Sequence, residues 1–81
     1  MTITAAQLRA ARALIKLEQK TLAEQSGVAV QTLKRWEGGA GPLTGNFQQV
    51  SALIGILENA GVEFLHSSED SGAGVRLKRP E

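Results

Sequence analysis

Glycine cuts this chain into short lengths. Gly27, the pair Gly38-Gly39 and Gly61 each fall where an apolar repeat of helical spacing stops. At Gly27 and Gly61 glycine is suited to that place because it takes positive φ without strain. The chain has 81 residues and no cysteine. A single domain of this size buries only around 60% of the surface that its unfolded chain exposes. With no disulfide or thiolate metal site to brace it, either its helices pack efficiently or a second subunit supplies the missing burial.

Thr4 followed by Gln7 is a capping-box pattern. It predicts a first helix running to about Leu17, with Leu8, Ala11, Arg12 and Ile15 on one face. Arg12 is the anomaly on that apolar face. A second helix is expected from Gln19 to Ser26, with Leu22 and Ala23 inward, and a third over residues 30–37. The stretch "GGAGPLTGN" is dense in Gly and Pro and reads as a loop. Asn46 is placed to cap a fourth helix, in which Phe47, Val50, Leu53, Ile54, Leu57 and Ala60 share one stripe. Beyond Gly61 the period changes. "VEFL" and "VRLK" alternate on either side of the polar run "HSSEDSGAG" and predict a two-stranded hairpin. A lone hairpin is marginal in water, so it must pack on the helices or pair with another chain.

No apolar run approaches the roughly 20 residues that a membrane span needs, and Arg and Lys interrupt the N-terminal stretch before a signal-peptide core forms. A soluble, cytoplasmic protein is expected. Net charge is only +1, but it is unevenly spread. Residues 1–41 carry Arg9, Arg12, Lys16, Lys20, Lys34 and Arg35 against Glu18, Glu24 and Glu37. Residues 42–70 carry acids and no Lys or Arg. A chain polarised in this way suits presenting its N-terminal half to a polyanion, although ordinary solvated faces fit the same pattern.

The third helix sharpens that choice. With Val30 as origin and about 100° per residue, Lys34, Gln31 and Arg35 fall on one side and Trp36 and Leu33 on the other. Leu33 and Trp36 anchor the helix, whereas nothing in a core explains Gln31, Lys34 and Arg35. Gln bonds bidentately to adenine, Arg bonds bidentately to guanine, and Val30 suits a thymine methyl. A solvated helix surface and a major-groove surface are both compatible with these residues alone.

The stretch "LAEQSGVAVQTLKRWEGG" resembles the helix-turn-helix of the phage repressor and Cro family, the Xre-like regulators. Gln19, Leu22-Ala23, Gly27-Val28, Leu33, Trp36, Glu37 and Gly39 carry the match in register, and the likeness extends over residues 4–60. It implies a mainly α fold: a four-helix, repressor-like helix-turn-helix domain over residues 1–61, with the motif itself at about 19–37. A β-hairpin tail over residues 62–81 follows, as a possible dimerisation element. It further implies that Ala29, Val30, Gln31 and Arg35 meet base edges and that Gln19, Lys34 and Gly38 meet the DNA backbone. Arg12 and Glu37 would form an internal ion pair, which accounts for an Arg on an apolar face.

Members of that family commonly bind palindromic operators as twofold dimers, with recognition helices about 34–36 Å apart. Ala52, Gly55, Ile56 and Asn59 on the fourth helix, and Val62, Phe64, Val75 and Leu77 of the hairpin, are the candidate dimer contacts. Two departures stand out. Glu18 and Ala29 occupy cap positions where the family usually places Ser, Thr, Asn or Asp, and the loop after Gly39 carries no cation.

Other chemistries find little support. His66 is the single histidine, and no cysteine accompanies it, so neither a metal site nor an activated Ser67, Ser68 or Ser71 is expected. No cofactor, enzymatic activity or small-molecule effector is expected either. The expectation is a double-stranded DNA-binding regulator, most simply a dimeric repressor associated with the nucleoid. The alternative is a protein-interaction module on the same fold, such as an antitoxin that captures a partner protein.

Overall fold

A computed structural model describes residues 2–79; Met1, Pro80 and Glu81, the outer ends of the two expected regions, lie outside the described residues. The elements are α1 (Ala5–Ile15), α2 (Gln19–Ser26), α3 (Val30–Gly38), α4 (Phe47–Asn59), β1 (Val62–Leu65) and β2 (Gly74–Leu77).

α1 opens on the expected capping box: the Gln7 N–H donates to Thr4 Oγ1 at 3.1 Å and the Thr4 N–H to Gln7 Oε1 at 2.9 Å. The helix stops at Ile15, short of Leu17, because Lys16 turns into the left-handed region at φ 55°. Gly27, at φ 75°, closes α2. Asn46 Oδ1 accepts the Gln48 and Gln49 N–H groups and starts α4. Between α3 and α4 the chain doubles back to the N-terminal segment. The Leu43 N–H donates to Ile3 O and the Ala5 N–H to Gly41 O, each at 3.0 Å.

One core joins all of this. Leu8, Leu22, Leu33, Leu53 and Leu57 are fully buried, with Ile3 and Val28 beside them. Ala23, Trp36, Val50 and Ile54 complete the helical part of the cluster, while Ile15 lies at its margin, only half buried. Phe47 does not belong to it. Its side chain is 76% exposed, because it is the first residue of α4 and the apolar stripe runs past the edge of the core, which begins at Val50. Ala60, at the other end of that stripe, is also exposed.

The hairpin is antiparallel, with Val62 opposite Leu77, Glu63 opposite Arg76, Phe64 opposite Val75 and Leu65 opposite Gly74. Its second strand begins at Gly74, one residue earlier than "VRLK". It packs on α1 and α4. Val62 and Phe64, expected at a dimer contact, are instead 0% and 7% exposed within the protomer's own core. Strand alternation puts both on one face, and that face covers the helices. Val75 packs half-buried against the same core and Leu77 is half-buried. On α4, Ala52 and Asn59 are exposed and Gly55 half-buried, whereas half-buried Ile56 leans on the core.

One side chain fastens the hairpin. Gln7, 4% exposed, donates its Nε2 hydrogens to Leu65 O at 3.1 Å and to Gly74 O at 3.0 Å. These carbonyls belong to the facing pair at the loop end of the two strands.

Candidate nucleic-acid interface

α3 stands on Leu33, Trp36 and Glu37, its buried residues. On its other side Gln31, Lys34 and Arg35 are exposed, as are Ala29 before the helix and Gly38 at its end; Val30 is half-buried. The two faces follow from the spacing alone. Buried Leu22 and Ala23 seat α2, and the Gly27 turn then sets α3 against it. Beside the polar face, Glu18, Gln19, Lys20, Val30 and Lys34 line an open groove of about 430 Å³. Lys20, Lys34 and Arg35 are exposed on this side of the molecule, with Glu18 as the acid among them.

The polar face is held in place by a knot around Glu37, whose carboxylate is nearly buried. Arg12 Nε donates to Oε2 at 2.6 Å and Arg12 Nη2 to Oε1 at 2.7 Å. Gln19 Nε2 adds a third bond to Oε1 at 3.1 Å. Arg12 Nη1 reaches Leu17 O at 2.9 Å, and Arg9 Nη1 donates to Glu37 O. The hydrogen bond to Glu37 outweighs the opposing effect of burial and raises the Arg12 guanidinium above its ordinary pKa. Charges drawn out of water in this way seldom add net stability, but they fix geometry and are costly to break singly. The knot joins α1, the start of α2 and the end of α3. Gln19 therefore has an internal partner, and a second amide hydrogen that can point outward.

Two residues have roles that the sequence did not show. Arg9 lies one helical turn before Arg12, a spacing that could have signalled it. Gln7's hairpin role was hidden because the capping box already accounted for it.

Among the described residues, no group of three or more His, Cys, Asp and Glu side chains is placed to hold a metal ion. His66 is exposed on the hairpin loop. Among the described residues, no helix is long and apolar enough to cross a membrane.

The family model described as Helix-turn-helix matches residues 8–57, more than half of the chain. The chain belongs to the helix-turn-helix family, of the Xre and phage repressor type. No curated protein matches it at a significant level. The matched stretch begins at Leu8 and ends at Leu57, so it takes in the Glu37 knot and α2–turn–α3 but stops short of the hairpin. This helix-turn-helix protein is thus a DNA-binding regulator of a family that is not one of enzymes.

Proposed function

We propose that the protein is a sequence-specific regulator that inserts α3 into the major groove of double-stranded DNA, as a homodimer on a palindromic operator, and most simply represses. The observation that carries this reading is the division of α3, with Leu33 and Trp36 buried and Gln31, Lys34 and Arg35 free on the opposite side. Ala29, Val30, Gln31 and Arg35 meet base edges; Lys34, Gly38 and the outward hydrogen of Gln19 meet phosphates. The side chains are of the right kind: an amide and a guanidinium each present two groups to one base, whereas an ammonium is a point charge suited to phosphate. The bare loop over residues 39–46 leaves few phosphate contacts per protomer, which favours two copies on one site. The exposed parts of α4 and the hairpin's outer edge are the surfaces left to join them.

Selection from a randomised duplex pool, followed by gel-shift across salt concentrations, tests the reading. Gln31→Ala or Arg35→Ala should cost about 1–3 kcal/mol of discrimination between the selected and random duplexes. Lys34→Ala should weaken both alike and reduce the salt slope by about one. If all three bind as wild type does while folding unchanged, α3 is not the reading element.

One observation favours a second reading, a protein-interaction module such as an antitoxin: Phe47, a large apolar side chain that is 76% exposed. Under that reading, wild type would select no duplex sequence from the pool.

A further inference from the structure

The glycines of this chain are not alike. Gly27, Gly41 and Gly61 have positive φ and are required by conformation. Gly45 has no such need, yet it is the position where a side chain meets the hardest obstacle. A Cβ built there would lie 1.9 Å from Trp36 Cζ2, 2.7 Å from Cε2 and 2.8 Å from Cη2. The main chain at residue 45 therefore lies directly on the edge of the indole's six-membered ring.

Neither partner can recoil easily without consequence. The loop is pinned on one side by the Leu43 and Ala5 bonds to Ile3 and Gly41, and on the other by Asn46 capping α4. The indole, by contrast, has no polar tether. Its Nε1 is buried without a hydrogen-bond partner among the described residues, so shape alone seats the ring. Trp36 is also one of only three buried side chains on a nine-residue helix that lacks a side-chain cap. Arg35 and Glu37 are its immediate neighbours. Pressure on the ring is therefore transmitted to α3.

We propose that Gly45 is a positioning residue for the recognition helix: its missing side chain lets the loop seat Trp36, and through Trp36 it fixes how α3 presents Gln31 and Arg35. This rests on the DNA-reading role of α3 proposed above. Gly45 touches no DNA in this scheme; it acts through the ring.

The test is Gly45→Ala, alone and with Trp36→Phe, which removes the ring edge that the new methyl would strike. The protein has one Trp, so a single indole N–H resonance in a ¹H–¹⁵N spectrum follows the ring. Gly45→Ala should keep its helical circular dichroism, shift that resonance, and lower the ratio of affinities for selected over random duplex at least about tenfold, as loss of one bidentate base contact would. In the Trp36→Phe background the same change should move the ratio less than about twofold. An unchanged resonance and ratio in Gly45→Ala would mean that the loop yields instead, and would overturn the proposal. So would an equal loss in both backgrounds. Should Gly45→Ala fail to fold, the double variant decides: folded and binding as Trp36→Phe alone does, it sustains the proposal; unfolded, it sinks it. Failure of wild type to select any duplex would instead sink the DNA reading, and the indole shift in Gly45→Ala would still report on the contact.

Discussion

Helices α1 and α4 begin on hydrogen-bonded side chains, whereas α2 and α3 begin on none. Thr4 and Gln7 close a reciprocal box, and Asn46 accepts two N–H groups. Glu18 and Ala29 make no side-chain cap bond. The outer pair is thus specified locally, by residues within one turn of each start. The helix-turn-helix pair depends on distant partners: Arg12 and Arg9 from α1, and the shared core. The binding half therefore takes its order from the rest of the protein. Its orientation is a tertiary property, imposed by the scaffold upon two short helices that have little to hold them alone.

Removing Arg12 tests that dependence most severely. Arg12→Ala leaves the Glu37 carboxylate nearly buried with only Gln19 for company, and should cost about 3 kcal/mol in urea unfolding. The low end of the range applies because the Arg12 side chain retains 21% of its exposure. Amide exchange should quicken in α2 and α3 and stay slow in α1. Uniform acceleration throughout would break the proposed division.

Gln7→Ala works on the other half. It withdraws a donor from Leu65 O and Gly74 O and an acceptor from the Thr4 N–H. Leaving such groups short of partners should cost about 2 kcal/mol, with faster exchange in the hairpin and the first turn of α1 and little change in α3.

Smaller still are the caps. Asn46→Ala should lose about 1 kcal/mol, and Glu18→Ser should gain a similar amount. If Glu18→Ser gains nothing by thermal melting, the start of α2 is already satisfied by other means and the contrast is overstated.

Least of all is the exposed cross-strand pair, Arg76 Nε to Glu63 Oε1 at 2.6 Å. The hydrogen bond to Arg76 lowers the Glu63 carboxyl below its ordinary value. A folded-state pKa below the unfolded one stabilises at neutral pH, and that help is lost as pH falls through the lowered value. The pair is open to solvent, so Glu63→Gln should lower the melting temperature only marginally at neutral pH; carbon-detected titration of the Glu63 carboxyl in the unaltered protein would show the lowered value directly.

What could be read in advance follows the same line. Helix starts at Thr4 and Asn46 and the stop at Gly27 are local chemistry, and they stand where the residues indicate. The Arg12–Glu37 pair spans 25 residues; only the family resemblance suggested it. Phe47 was misplaced because periodicity reports a direction around a helix and not how far along it the core extends. Val62 and Phe64 show the matching gap for strands: alternation identifies a shared face without naming what that face covers. The return of residues 41–43 to Ile3 and the seating of Trp36 under Gly45 leave no periodic trace at all.

The knot at Glu37 has a consequence for genetics. A screen for variants that no longer bind DNA would return changes in the first helix as well as in the third, although the first need never approach the duplex. Loss of binding would therefore map the scaffold and the interface together. Under the proposed function, only variants that exchange one preferred duplex for another would trace the surface that reads it.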